Sequence, residues 1–244
     1  GSWLERIHPD DREAALSHFQ TAFAQQTRFS NLMRMRRHDG VYRWIQDDGV
    51  PAFDSAGQFR GYIGYGFDVT QSKRTSDFER SRLHILEALS QQKSLPELLE
   101  QLCRETDALF PEVKSSILLL DAAGQHLLHG AAPHLPEFYN QAVNGIAIGP
   151  QVGSCGAAAF CREPVYAEDL QTHPNWAPFR AVTEAAHLRS CWSTPVLNSQ
   201  GQVQATFALY QATPGLPEAE QVDYIHSIVG LVALILERKR AQEQ

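Results

Sequence analysis

Basic patches are missing from this chain: Lys and Arg number 21 against 28 Asp and Glu, a formal net charge of −7. A nucleic acid therefore finds no electrostatic footprint and is not an expected partner. The densest cation run, Arg34 to His38, alternates with apolar residues as a half-exposed strand does. Paired cysteines are missing too. Cys103, Cys155, Cys161 and Cys191 show no C-x-x-C spacing and no His-x-x-x-His partner, so neither a zinc site nor a disulfide framework is indicated, and reduced cytosolic thiols are expected. Long apolar runs are also lacking. The longest, Ile228 to Leu236, is interrupted by Gly230 and falls short of the roughly 20 residues a spanning helix needs. With no secretory signal visible, the expected location is the cytoplasm, without a membrane span in this stretch. Nor do carboxylates gather as a catalytic pair: Glu163, Glu168 and Asp169 flank a short strand and read as turn and solvent groups.

What is present suits two compact domains, since 244 residues with 43% hydrophobic content support packed cores. Gly1-Ser2 reads as an expression scar and takes no part in the fold argument. Asp10 followed by Glu13 fits a capping box, with Pro9 suited to a first helical turn, and a helix through Ala14, Phe19, Ala22 and Phe23 follows. Three strand-like runs come next, Phe29 to Arg37, Tyr42 to Phe53 and Phe59 to Val69. They are separated by the turn signals Asp39-Gly40 and Asp54-Ser-Ala-Gly57. One helix on an antiparallel meander leaves a sheet face and an edge uncovered.

The series Trp3…Ile7-His8-Pro9-Asp10-Asp11-Arg12, Asp39-Gly40-Val-Tyr-Arg43-Trp44-Ile45, Gly57…Gly61 and Asp68-Val-Thr70…Lys73 resembles the second half of a PAS sensor domain. The resemblance implies that residues 3–74 are a PAS domain lacking its opening strands and much of its pocket wall. A helical linker follows over residues 75–94. Ser76 with Glu79 offers a second capping box, so its helix starts there or runs on from Thr70. Phe78, Ile85 and Leu89, with Leu86 beside them, approximate a heptad seam broken at Arg82, and parallel dimerisation is expected there.

A second unit spans residues 95–240, with its first helix from about residue 77 or from Leu95 to Phe110. Strands are expected at Val113 to Leu120, Gln125 to Ala131, Pro164 to Tyr166, Ser190 to Leu197 and Val203 to Tyr210. Short helices are expected at Pro136 to Ala142, Val152 to Phe160 and Phe179 to Ala186, and a long final helix over residues 217–244. Gly153-Ser-Cys-Gly156-Ala, Glu163-Pro164-Val165, Glu168-Asp169, His173-Pro-Asn-Trp176, Leu188-Arg-Ser-Cys-Trp192-Ser-Thr-Pro195, Gly201 and Thr206-Phe-Ala-Leu-Tyr210 carry a resemblance to GAF domains. The similar subset is that of bacterial sensor kinases and cyclic di-GMP proteins. The expected fold class is therefore α+β: two sensor units with antiparallel sheets, a truncated PAS and a complete GAF, joined and followed by long helices.

The resemblance implies a cavity, with Ser154, Cys155, Trp176, Phe179, Cys191 and Ser193 as its candidate ligand-binding residues. Trp176 and Phe179 either form a lid over a small ligand or fill the cavity themselves. Ser193 and Thr194 point to opposite faces of their strand, and Ser193 shares the face of Cys191. Some stand-alone GAF proteins reduce free methionine sulfoxide with a cysteine in a Cys-Gly setting. Here Ser190-Cys-Trp-Ser replaces their Cys-Asp pattern and His173-Pro-Asn-Trp lacks their matching motif, which favours packing thiols over reductase chemistry. No cysteine precedes a histidine as bilin attachment would ask. Haem would need one well-placed histidine from His126, His129, His134, His173 and His187. No cofactor is required by the sequence, and its identity, if one exists, is unknown.

In the final helix Val222, Ile225, Val229, Val232 and Leu236 form one apolar stripe. Ile228, Leu231, Leu234 and Ile235 add surface around it. That surplus predicts a partner helix, with a homodimer through Leu83, Leu86, Leu89, Ile225, Ile228, Val232 and Ile235, and the uncapped end predicts continuation beyond Gln244. The expected role is a non-catalytic sensory region of a bacterial signalling enzyme. The resemblance suggests a GGDEF/EAL cyclic di-GMP output, or else a histidine kinase or a ligand-free dimerising relay.

Overall fold

The computed structural model describes residues 3–90 and 93–242, with the backbone alone at residues 89 and 90. The chain divides into two compact units, Gly1–Glu79 and Arg80–Gln244.

In the first unit a 3-10 turn at Pro9–Asp11 leads into α1 (Arg12–Gln25), followed by β1 (Phe29–Arg36), β2 (Tyr42–Phe53) and β3 (Phe59–Asp68) in an antiparallel sheet of order β1-β2-β3. The expected Asp10–Glu13 capping box does not form. His8 caps the 3-10 turn instead, accepting from the Asp10 amide, and Asp11 turns away to Arg34, whose Nη2 lies 2.6 Å from its carboxylate. A bidentate guanidinium is the stronger partner for a carboxylate. Met33, Ile7 and Ala15 form the core under α1, joined by aromatic contacts of Phe19 with Phe29 and Tyr62. Strand alternation sends the neighbouring side chains to the other face. There Leu32, Val50, Ile63, Tyr65 and Phe67 are exposed, Ile63 by 69%. The uncovered face and the free β3 edge anticipated from the sequence are thus both present among the described residues.

The helix α2 (Thr70–Ser90) runs on from Thr70, whose hydroxyl receives the Trp44 amide at 2.8 Å, so Ser76 and Glu79 are interior positions and not a cap. Within α2, Ile85 and Ala88 are buried and Leu83 is 59% exposed. Leu86 is half-buried, and the side chain of Leu89 lies outside the described residues.

The second unit opens with α3 (Leu95–Leu109). Its start carries a capping box that the sequence reading missed: Glu97 accepts from the Ser94 amide at 2.8 Å, and Pro96 follows in the first turn. The order continues as β4 (Val113–Leu120), β5 (His126–Ala131), α4 (Glu137–Val143), β6 (Ile146–Ala147), α5 (Cys155–Cys161), β7 (Val165–Ala167), α6 (Arg180–Ala185), β8 (Ser190–Leu197), β9 (Val203–Gln211) and α7 (Ala219–Gln242). The sheet order is β6-β5-β4-β9-β8-β7, antiparallel throughout. The two-residue edge strand β6 had no sequence signal, because two residues show no period.

Register assigns the two faces. Cys191 pairs with Tyr210, Ser193 with Ala208, and Ala208 with Ser116, so these residues share the front face with α4 and α5. Trp192, Thr194, Phe207, Leu209, Ser115 and Ile117 point to the back, where α3 and α7 pack. The surplus apolar surface expected on α7 is covered inside the chain. Ile225, Ile228, Leu231, Val232, Ile235 and Leu236 are all buried, and Leu234, 47% exposed, is the large apolar residue left out. The helix buries two of its sides because the sheet and α3 approach it from different directions; Tyr224 reaches α3 by a 3.0 Å hydrogen bond to Thr106. By length and hydropathy α7 could cross a membrane, but this burial already accounts for its apolar content.

Candidate ligand pocket

On the front face, a small cavity of about 10 Å³ lies between the sheet, α4 and the segment 153–179, room for roughly one water molecule. Its lining includes Ser154, Cys155, Trp176 and Phe179 of the expected set. Cys191 and Ser193 do not line it. They sit deeper, both fully buried on β8, beneath the Cys155 side chain. Tyr139, Tyr210, Leu118, Val143 and Ile146 also line it and were missed from the sequence, and Gly153 completes the lining. Tyr210 was legible in principle, since it lies directly across from Cys191. Tyr139 sits in a helix of seven residues, about two turns, whose orientation no local pattern sets.

The loop before α5 explains how Trp176 is placed. Gly153 adopts φ of 53°, a conformation that costs a residue with a Cβ roughly 1 kcal/mol or more. Its amide donates to the Asn175 carbonyl at 2.9 Å, and the Asn175 side chain returns to the Gly153 carbonyl at 3.4 Å. His173 begins the 3-10 turn Pro174–Phe179, accepting from the Asn175 amide. Trp176 is thereby delivered into the core, 3% exposed. Its Nε1 donates to Ser154 Oγ at 3.1 Å, and Ser154 Oγ donates to the Cys191 carbonyl at 3.4 Å. Phe179 meets Trp176 edge to face at 5.9 Å between centroids. Of the two roles weighed for this pair, filling the cavity describes the geometry here.

Beneath the aromatics lies a layer of hydroxyls and thiols. Cys155 Sγ is 3.8 Å from the Tyr210 hydroxyl, which also receives the Ser116 hydroxyl at 3.4 Å. The Cys191 thiol beside Cys155 draws that thiol below the ordinary range, while burial pushes Cys191 well up. Burial likewise raises Tyr139 and Tyr210. The Tyr139, Ser193 and Thr206 hydroxyls find no well-formed hydrogen bond among the described residues, although all three are 0% exposed. Sulfur is a weak partner for a hydroxyl, and a buried polar group left unpaired costs about 1–3 kcal/mol.

No charged side chain is in the described lining. The ion pair of Arg189 with Asp169, at 3.0 Å, braces the loop after β7. Asp169 is the turn group expected, accepting from the Gln171 amide at 3.1 Å, and is anchored besides by Arg189, which holds its carboxyl below the usual range. None of His126, His129, His134, His173 and His187 lines the cavity. Among the described residues, no group of three His, Cys, Asp or Glu gathers as a metal would require, and the four cysteines are free thiols.

A family model described as a PAS fold matches residues 1–66, and one described as a GAF domain matches residues 92–237. A methyl sulfide methyltransferase-associated sensor of Methanosarcina acetivorans is 26% identical over 99% of this chain. The match takes in 24% of that protein, so the chain spans about a quarter of the length of this curated relative. The GAF domain of a phosphoenolpyruvate-protein phosphotransferase from Coxiella burnetii superposes with a TM-score of 0.56 at 15% identity, covering 69% of this chain and 97% of that one. Free methionine-R-sulfoxide reductase of Neisseria meningitidis, solved with its substrate, gives 0.53 at 15% identity, covering 68% and 91%. Likeness at such identities is one of fold.

Proposed function

Taking as its premise that the chain belongs to the GAF-domain family, with a PAS fold before the GAF domain, we propose that it is the sensory input region of a signalling protein and catalyses no reaction itself. A small molecule or a redox event in the GAF cavity alters the packing of α7 and of the Leu83 to Leu89 part of α2. The terminal helix passes that change to an output domain. The observation that carries this reading is the placement of the pocket and α7 on opposite faces of one sheet, with Tyr210 of β9 lining the pocket in front and α7 packed behind β8 and β9. Such a switch requires two packings of similar free energy.

In this proposal the region works in the cytoplasm as a homodimer, with Leu83 and Leu234 as exposed contact points. The output is cyclic di-GMP synthesis or hydrolysis, following the sequence resemblance. A histidine-kinase output is the alternative from that same resemblance. Native mass spectrometry of the purified protein tests the sensory role. A retained small molecule supports sensing, whereas a ligand-free dimer that no metabolite extract alters reduces the region to a structural relay. A monomer at micromolar concentration counts against both.

A further inference from the structure

The groups left unpaired around the cavity narrow the chemistry of its ligand, an argument that rests on the ligand-sensing reading above. Three features bear on it. The described lining has no Asp, Glu, Lys, Arg or His side chain, so an anionic ligand would bury its charge unpaired beside a Cys155 thiol already drawn below the ordinary range, and a cationic one would find no carboxylate. The walls are aromatic: Trp176, Phe179, Tyr139 and Tyr210 meet edge to face around the space, which suits a flat ligand. The polar groups are few and fixed. Ser154 Oγ accepts an N–H at 3.1 Å, and the Tyr139 hydroxyl, fully buried, makes no well-formed hydrogen bond among the described residues, with only the Tyr210 hydroxyl and the Cys155 and Cys191 thiols beside it.

The group that now fills the space has most of this character itself. The Trp176 indole is planar, uncharged and donates one N–H to Ser154, but it carries no acceptor for the Tyr139 hydroxyl. Its backbone belongs to a short 3-10 turn, Pro174–Phe179, a type of element that rearranges more cheaply than a sheet strand.

We infer that the pocket binds a small, planar, uncharged heteroaromatic molecule with an N–H donor and a ring acceptor, and that Trp176 occupies this ligand's place until it arrives. The N–H donates to Ser154 Oγ, the acceptor receives a hydrogen bond from the Tyr139 hydroxyl, and Trp176 swings outward. The displaced residue belongs to the segment that Asn175 clasps to the Gly153 loop, so ligand entry loosens the start of α5 above β8.

The test uses three probes of similar shape at pH 8 and isothermal calorimetry: benzimidazole, which has donor and acceptor; indole, which has the donor alone; and indole-2-carboxylate, an anion. Benzimidazole is expected to bind about tenfold more tightly than indole, the ratio one added hydrogen bond supplies, and the anion not to bind. Tyr139→Phe removes an unpaired hydroxyl, so it should fold and should erase the difference between the two neutral probes. Ser154→Ala should weaken both neutral probes alike. Preferential binding of the carboxylate overturns the ligand class while leaving ligand sensing intact, and so does a benzimidazole preference that survives Tyr139→Phe. Failure of all three probes to bind, with no molecule from a metabolite extract retained in native mass spectrometry, overturns the class and the sensing reading together.

Discussion

His134 Nδ1 lies 2.6 Å from the Asp107 carboxylate, whose other oxygen accepts both the amide of Ser115 at 2.8 Å and its hydroxyl at 2.6 Å. One side chain, 9% exposed, thus ties α3 to the first turn of β4 and to the loop that leads into α4. Removing the carboxylate by Asp107→Ala strands a buried amide, and unfolding in urea should show a loss of about 2–4 kcal/mol. A loss under about 0.5 kcal/mol would mean that the three contacts are incidental.

The same carboxyl gives a pH signature. Burial is the first cause holding Asp107 above the ordinary carboxylate range. Its folded state therefore binds a proton more readily than the unfolded chain. The contribution is fully present below about pH 4 and is lost as pH rises through the raised folded value. Asp107→Asn keeps the protonated shape at all pH. Its cost relative to the parent should be largest near pH 4 and shrink towards pH 7, as read from urea midpoints across that range. A cost that grows with pH contradicts the assignment.

Asp11 behaves in the opposite sense. The Arg34 side chain is the first cause holding it below the usual range. Its stabilisation is present above about pH 4 and disappears as pH falls through the lowered folded value. The pair is part-exposed, at 30% and 18%, so solvent screening limits it to about 1 kcal/mol. Asp11→Asn should lower the stability of the first unit by that amount at pH 7 and by progressively less as the pH is taken below about 4, followed through the fluorescence of Trp44 beside Arg34.

Trp176→Ala vacates the indole volume. Large-to-small changes of this kind cost about 3–5 kcal/mol. In a Cys161→Ser background, which removes the exposed thiol, iodoacetamide should modify Cys155 at least tenfold faster than in the parent, since each 1.4 kcal/mol of easier opening is worth that factor. An unchanged rate would show that Trp176 does not guard the thiol.

On α7, Ile235 is 0% exposed and Leu234 is 47% exposed. Ile235→Ala should cost about 2–5 kcal/mol of stability. Leu234→Ser should leave stability within about 0.5 kcal/mol. Combined with Leu83→Ser it should shift the sedimentation of the protein towards monomer, and a double variant that sediments as the parent does removes both residues from the interface.

Much of the fold was readable because periodicity carries long elements. The three strands between Phe29 and Asp68 are bounded by strong turn signals, and the strands of the second sheet other than β6 were placed to within a residue or two of their bounds. Local capping was less readable. Asp10 and Glu13 have the right spacing, but Arg34, more than twenty positions away, offers Asp11 a better partner. The surplus on α7 was misjudged for a similar reason: a sequence shows how many apolar faces a helix has, not how many neighbours surround it. At the pocket, the motif residues Ser154, Cys155, Trp176 and Phe179 were found. Tyr139 and Ile146 were not, because they arrive from elements too short to have a period.

Along β8 the residues Cys191, Trp192 and Ser193 face alternately forward, back and forward, and Trp192 is fixed to the Gly215 carbonyl by a 2.9 Å hydrogen bond. The layer beneath the pocket lining and the helix seat are therefore spelled by adjacent codons. An insertion or deletion of one residue here would exchange the two sets of side chains wholesale, so mutation can tune this strand only by substitution. A descendant with a new ligand must change one residue while leaving both of its neighbours in place.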